Sequence, residues 1–495
     1  MQARNHGAVS AAATAASRTT PSAAAHRVAI VGAGFSGITV AIHLLRHAAS
    51  GAFPHGLILD LVDPRAEIGA GVAYATRDYP YPLNVAAGQM SFDGTSPGDF
   101  LAYVRSQGIH AQAGDYLPRP VYGDYLRARF NEARSGTPAQ VEHRRARALQ
   151  LRRGEGHWTA WLDDGSALRA HDVVLALGNP PPADLRELAG IAHTDRYIRD
   201  PWSIGSVANQ GIDSVLLVGS GLTMIDAALR LAAIRPRLRH IHVLSRHGRL
   251  PEVQSTSSLP AIRPNVAGAL AAARGSTRAL FKTFRALIRA VIAAGGDWRE
   301  VLALARNQFP AQWHALDPVQ RGQFLRHVRA VWDVHRHRVP AAPLGAVRRL
   351  ARSGVLQVHA GRLESARLAD EAVEVIWRPR GASRTRAWLV DRVINCTGPE
   401  SRVDRDADPL VQSLLANGLI CCDPLSLGLD LADDGRPLSR DGVPVDRLYY
   451  LGPWLRARDW EATAVPELRE HAVRLAGRLA AQPQTDGGEI PRHPG

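Results

Sequence analysis

Cysteine is scarce in this sequence. Only Cys396, Cys421 and Cys422 occur, and no CxxC spacing joins any two of them. That excludes a disulfide framework, a zinc ribbon and a thioredoxin-type dithiol centre. The adjacent pair Cys421-Cys422 could close only a strained small ring, so both are read as thiols rather than as a redox couple. Lysine is nearly absent: Lys282 stands alone beside 59 arginines. With abundant alanine, this reads as the mark of GC-rich coding rather than of function. No apolar run reaches 18 residues, which excludes a transmembrane helix. Residues 1–26 hold no acidic residue and no continuous apolar stretch of signal-peptide type. They read as a disordered tail, and the chain is expected to be cytoplasmic.

What is present suits a large soluble core, with 45% hydrophobic and 21% charged residues. The net charge of +14 is uneven. Residues 251–350 carry 15 Lys/Arg against 5 Asp/Glu, a difference of +10. Basic charge suggests nucleic acid, but no nucleic-acid motif accompanies it. A solvated face that attracts an anionic cofactor or substrate is the simpler reading.

Order is expected to begin with a buried strand, Arg27 to Val31, followed by Gly32-Ala33-Gly34-Phe35-Ser36-Gly37 and a helix to His47. Strand, GxGxxG and helix in that order form a dinucleotide fingerprint. Gly32 permits the turn, Gly34 lets backbone approach a pyrophosphate, and Gly37 lets the helix pack closely on the sheet. A second strand, Leu57 to Val62, ends at Asp63, where a carboxylate can accept ribose hydroxyls. The spacing from Gly32 exceeds the usual value of about 20, and residues 48–56 read as the insertion responsible.

A second copy follows: the strand Ser214–Val218, then Gly219-Ser220-Gly221-Leu222-Thr223-Met224 and a helix. Its next strand, His240–Leu244, leads to Arg246 rather than to an acid. An arginine there suits the 2′-phosphate of NADPH. Asp172–Gly178 and Asp391–Gly398 are two similar strand-to-glycine segments, each preceded by hairpin-like sequence. The chain is expected to cross between units after each of them. Late in the chain a strand and turn end at Gly452-Pro453, and a helix starts near Pro466, with the N–H groups of Thr463 to Val465 facing its open end.

Residues 268–340 break this α/β rhythm. Arg278 to Ile292 places Leu280, Phe281, Phe284, Leu287, Ile288, Val291 and Ile292 on one helical face, which predicts a helical insertion docked on the protein. His335 and His337 point to opposite sides of a helix and lack a third ligand, so no metal is expected.

These segments resemble a known family. Val31–Gly37, Gly69–Thr76, Leu83–Ser91, Val218–Met224, Trp332–Arg338 and Trp460–Leu468 are similar to bacterial FAD/NAD(P)-binding proteins related to class B flavoprotein monooxygenases. In these two-dinucleotide-domain flavoproteins an NAD(P)H domain interrupts an FAD domain. The resemblance implies an α/β fold with two Rossmann-like domains: a tail at 1–26, the FAD domain at 27–200 and 396–482, the NAD(P)H domain at 210–395 with its helical insertion at about 255–345, and a tail at 483–495. It implies FAD held by Gly32, Gly34, Phe35, Ser36, Gly37, Asp63, Asn84, Met90, Gly452, Thr463 and Ala464. It implies NADPH held by Gly219, Gly221, Thr223 and Arg246.

The expected activity is that of an FAD- and NADPH-dependent oxidoreductase, a flavin monooxygenase using molecular oxygen on a small molecule such as an amine or amino acid. A reductase or oxidase without oxygen insertion, and a non-catalytic redox sensor, stay open, as does a homo-oligomeric state. His335, Arg336 and Arg338 are the candidates to hold an anionic substrate. Replacing Arg336 is then expected to raise KM while sparing stability. Two departures stand out: Gly-Pro replaces the usual Gly-Asp at 452–453, and the FxGxxxHxxx(W/F) signature of amine-oxidising relatives is missing, with Gly190 to His193 only an echo.

Overall fold

The computed structural model describes residues 25–207, 211–254 and 264–482; of the expected tails at 1–26 and 483–495, residues 1–24 and 483–495 lie outside them, as does the expected start of the insertion at 255–263, while His26 belongs to the first strand. Strand β1 (His26–Val31) and β2 (Leu57–Val62) are almost wholly buried. Apolar runs of this kind fit a parallel sheet covered on both faces. After β3 (Gln140–Arg144) come β4 (Ala148–Arg153), β5 (Trp158–Leu162) and β6 (Ala167–Ala170), then β7 (Asp172–Leu175). β8 (Tyr197–Ile198), β9 (Ser214–Val218) and β10 (His240–Ser245) follow. The last are β11 (Leu356–Ala369), β12 (Ala372–Pro379), β13 (Arg386–Val390), β14 (Arg392–Asn395) and β15 (Leu448–Tyr450).

Two central sheets result. The first has the order β15-β7-β1-β2-β3, all parallel. The second has the order β13-β12-β11-β10-β9-β14-β8 and is parallel from β11 to β8. The two hairpins are not equivalent. β4, β5 and β6 form a separate antiparallel sheet, whereas β12 and β13 extend the second sheet because the 14-residue β11 runs from one arrangement into the other.

The chain alternates between the sheets. β7 ends beside β1, β8 opens the second unit at its edge, and β15 returns to the first sheet beside β7. Side chains clamp the units together. Arg119, stacked over Tyr81 and Trp202, donates to Asp226 at 2.6 Å, and burial pushes the Asp226 carboxyl up. Gln254 donates to the Asn84 carbonyl at 2.8 Å.

Helices from Val266 to Arg336 form the insertion around Phe284, Phe309, Trp313, Phe324 and Trp332, a core that also takes in Leu427, Ala457 and Trp460 from the C-terminal part. The insertion ends earlier than the sequence suggested. Helix Ala341–Arg352 buries Leu344 and Val347 in the core of the second unit, so it belongs to that unit. In Thr277–Ala293 the buried face consists of Leu280, Phe284 and Val291, while Ile292 is 54% exposed. Among the described residues no helix is long and apolar enough to cross a membrane, no group of His, Cys, Asp and Glu could hold a metal ion, and the three cysteines are free thiols.

Candidate cofactor and substrate sites

Both glycine loops lie at the C-terminal edge of a parallel sheet, where the strand ends leave a crevice. In the first, Gly32 has φ +100° and a Cβ there would stand 2.2 Å from the Ala176 carbonyl oxygen. A Cβ on Gly37 would stand 1.9 Å from the Gly32 carbonyl oxygen. Those two glycines are required by the packing of the loop on β7 and on itself. Gly34 differs, since its Cβ would meet only Gly71 Cα, at 3.4 Å. Gly71 therefore belongs to the same bare backbone surface. Helix Phe35–Ala49 starts from Gly34 without a side-chain cap, which leaves N–H groups of its first turn for an anion. Phe35 packs toward Tyr122 and Ser36 is buried in the helix start.

Asp63 is fully engaged. Its Oδ2 accepts from the Ala33 N–H at 2.8 Å and from Arg65 Nη2 at 2.8 Å; its Oδ1 accepts from the Arg65 N–H and Nε at 3.0 and 2.9 Å. Burial opposes ionisation, but these bonds outweigh it and hold the carboxyl below its usual range. Asp63 thus ties the glycine loop to β2, and a ribose would have to share it with Arg65. Arg65, 40% exposed, is a residue the sequence reading missed. Its Nη1 lies 3.9 Å from the Cβ position on Gly71, beside Gly34, where a guanidinium suits a pyrophosphate.

The other expected FAD contacts divide. Asn84 lies at the junction with the second unit through Gln254. Met90 is 2% exposed within the hydrophobic core, so its side chain supports the loop from behind instead of lining a site. Gly452 is explained by its own surroundings: a Cβ there would stand 2.6 Å from the Tyr450 hydroxyl, which accepts from the Trp454 N–H at 3.0 Å. The Thr463 N–H is taken by the Glu461 carbonyl at 2.7 Å. Ala464 caps helix Val465–Ala481 with backbone alone, leaving the N-terminal dipole of a 17-residue helix at this edge.

In the second loop Gly219 has φ +110° and its Cβ would stand 2.4 Å from the Cys396 carbonyl oxygen. A Cβ on Gly221 would meet nothing within 4 Å, so this loop opens outward at the start of helix Leu222–Ile234, whose first turn contains the half-buried Thr223. Arg246 is exposed just past β10. The fold adds Arg380, from the distant hairpin, whose Nη1 lies 3.0 Å from His247 Nδ1. Burial first, then Arg380, Arg246 and Arg249, lower the His247 pKa. Arg246, Arg249 and Arg380 therefore form one positive cluster, and sequence distance hid its third member.

The three substrate candidates separate. His335 sits edge-on to Trp298, with Nδ1 2.7 Å from the Val331 carbonyl. Arg336 lies between Glu461, 4% exposed, and Glu467 Oε1, 3.0 Å away. Both carboxylates belong to the C-terminal loop and helix, so Arg336 locks the insertion to them and is not free for a substrate. Arg338 differs again. Its Nε donates to Gln254 Oε1 at 3.0 Å, the residue that bonds Asn84, while its buried Nη1 has no hydrogen-bond partner among the described residues. Burial, then the like charges of Arg336 and Arg299, pull its pKa down to about 10. A cation held so unfavourably is suited to an incoming carboxylate.

Residues 29–180 match a family model described as FAD-NAD(P)-binding. The L-aspartate N-monooxygenase (nitrosuccinate-forming) of Streptomyces davaonensis is 28% identical over 246 residues, which cover 41% of this chain and 38% of that protein. The match thus spans well under half the length of that curated relative. Among solved structures, the L-lysine 6-monooxygenase of Pseudomonas syringae superposes with a TM-score of 0.63 at 15% identity, covering 92% of this chain and 100% of that one. The ornithine N-hydroxylase of Kutzneria sp. 744, with FADred, NADP+ and L-orn, gives 0.61 at 14% identity, covering 92% and 98%. The ornithine hydroxylase of Pseudomonas aeruginosa in its reduced form gives 0.60 at 16% identity, covering 92% and 98%. The chain therefore has the fold of the two-dinucleotide-binding flavoproteins, and its residues 29–180 form an FAD-NAD(P)-binding domain.

Proposed function

We propose that the chain is an FAD- and NADPH-dependent monooxygenase that hydroxylates the amine of a small amino acid. The observation that carries the substrate half of this reading is Arg338, a half-buried guanidinium whose Nη1 has no hydrogen-bond partner and which makes no ion pair among the described residues, at the junction of the Asn84 loop, Gln254 and the insertion. A bidentate carboxylate would satisfy it and leave the amine at the other end of the substrate free to react.

The bare surface of Gly34 and Gly71 fits a pyrophosphate, with Arg65 to neutralise it and the first turn of helix Phe35–Ala49 to donate N–H groups. Gly219, Gly221 and the start of helix Leu222–Ile234 would hold the second dinucleotide, with Arg246, Arg249 and Arg380 around its 2′-phosphate. Bound FAD would accept hydride from NADPH and activate oxygen. The chain aligns both cofactors, holds the substrate carboxylate and directs the dipole of helix Val465–Ala481 toward charge that develops near its start.

The test is NADPH oxidation by the FAD-loaded protein with single amino acids added. We expect one acidic or basic amino acid to accelerate it, and Arg338→Met to raise KM for that amino acid at least tenfold with little change in FAD content. Fast oxidation yielding only hydrogen peroxide with every candidate would favour an oxidase. No hydride transfer would favour a redox sensor.

A further inference from the structure

The insertion encloses a pocket that neither glycine loop nor Arg338 uses. Its volume is about 250 Å³, and Leu280, Phe284, Phe309, Trp313, Phe324 and Trp332 are among the residues that line it. Protein interiors normally close such spaces by packing to crystal-like density. Here large side chains from five helical segments surround an open volume instead.

Four polar residues interrupt the apolar lining: Thr277, whose hydroxyl donates to the Gln320 carbonyl at 2.7 Å, the exposed Arg285, Gln312 and His335. Gln312 is 4% exposed, and its Oε1 has no hydrogen-bond partner among the described residues. Buried amide oxygens in folded proteins are almost always satisfied, so an orphan in a pocket wall points to a partner from outside the chain. His335 stands at the same wall. Its Nδ1 lies 2.7 Å from the Val331 carbonyl, so Nδ1 donates there. A single π-helical turn, Phe324–Val328, interrupts the helical run, and both of its end residues line the pocket. Such turns are frequent at functional positions.

Trp332 divides this pocket from the C-terminal loop. Its ring forms wall, while its Nε1 donates to Glu461 Oε1 at 2.9 Å on the other side. The pocket thus touches the loop leading to helix Val465–Ala481 through two indoles, the second being Trp313, whose Nε1 donates to the Ala457 carbonyl at 3.0 Å.

We propose that this pocket is a second ligand site, for an uncharged aromatic or branched aliphatic molecule bearing one N–H or O–H donor that meets Gln312 Oε1. A cationic group would lose its hydration in these walls with no carboxylate in the lining to replace it, and the charged lining residue, Arg285, is itself exposed to solvent.

Indole and benzofuran test the proposal, since they share one shape and differ in the N–H. Each is titrated calorimetrically into the FAD-loaded full-length protein. Indole should bind at least fivefold more tightly than benzofuran, the ratio expected for one net hydrogen bond. Gln312→Leu should bring that ratio close to one without lowering the melting temperature, because it removes an orphaned polar group. Ile288→Trp, at a half-buried position of the wall, should abolish binding of both probes by filling the space; Leu280→Trp repeats that test from another position. The proposal is overturned if wild-type protein binds neither probe at millimolar concentration, if it binds both equally, or if folded Ile288→Trp binds them as wild type does.

Discussion

Replacing Arg336 by methionine removes the cation that sits between two carboxylates of the C-terminal loop and helix while keeping most of the side-chain bulk. Glu467 retains a second partner, Arg306, whereas among the described residues Glu461 keeps one hydrogen bond, from the Trp332 indole N–H, with Arg456 acting on it electrostatically. Arg336 is 19% exposed, Glu467 14% and Glu461 4%, so the main consequence is one buried carboxylate that has lost its direct ion pair. Breaking such a pair from one side costs about 3–5 kcal/mol, and the surviving Arg306 contact places the loss near the lower end, at about 3 kcal/mol. A chain of several units need not unfold in one step, so the loss is best read locally. Hydrogen exchange across residues 456–470 should show about 100-fold less protection, with about 1.4 kcal/mol for each factor of ten. Adding Glu461→Gln should restore most of it, because the double variant buries no lone charge. Wild-type protection in Arg336→Met would refute the argument, as would a double variant showing the simple sum of both single losses. The sequence alone suggested the opposite outcome, a raised KM with stability intact, because nothing local to Trp332–Arg338 reveals Glu461 and Glu467 as partners.

NADPH should bind more tightly than NADH, and either Arg246→Ala or Arg380→Ala should weaken NADPH about tenfold or more while sparing NADH, since each removes a charge-assisted contact of about 1.5–3 kcal/mol; equal losses for both cofactors in binding titrations would contradict this. Gly34→Val should fold normally, as judged by circular dichroism, yet lose FAD, whereas Gly37→Ala should fail to fold, because its Cβ would stand 1.9 Å from the Gly32 carbonyl oxygen. Acid should destabilise the protein early. Burial, the largest cause in each case, lowers the pKa values of His43 and His471 from 6.5 to about 4. The unfolded chain therefore takes up protons that the folded chain refuses, and stability falls from about pH 6.5 to about pH 4 by up to about 1.4 kcal/mol per pH unit for each histidine. A melting temperature flat across that window would contradict it.

Local patterns were the legible part of this chain. β1, the Gly32–Gly37 loop and helix Phe35–Ala49 follow one another without a gap, so their order alone announces a phosphate-binding turn. The same holds for β9, Gly219–Gly221 and helix Leu222–Ile234. What stayed hidden depends on contacts between distant residues. Arg380 reaches His247 only because β11 carries the hairpin past the end of β10. Met90 has the position of a ligand-loop residue, yet its side chain turns into the core. Arg65 follows Asp63 closely, but no spacing rule marks it; its role emerges from the position of Gly71 beside Gly34. The early end of the insertion was equally invisible, since Leu344 and Val347 have the same amphipathic spacing whichever core they enter.

The central claim is oxygen insertion at an amine whose carboxylate Arg338 holds. The most direct measurement is a mass-spectrometric search for products formed by FAD-loaded protein, NADPH and air with individual amino acids, run beside Arg338→Met. The account predicts one amino acid that accelerates NADPH oxidation and gains oxygen at nitrogen, with Arg338→Met recovering the rate only at much higher substrate concentration. NADPH consumption that yields only hydrogen peroxide whatever amino acid is present, or a product whose formation is indifferent to Arg338→Met, would contradict it.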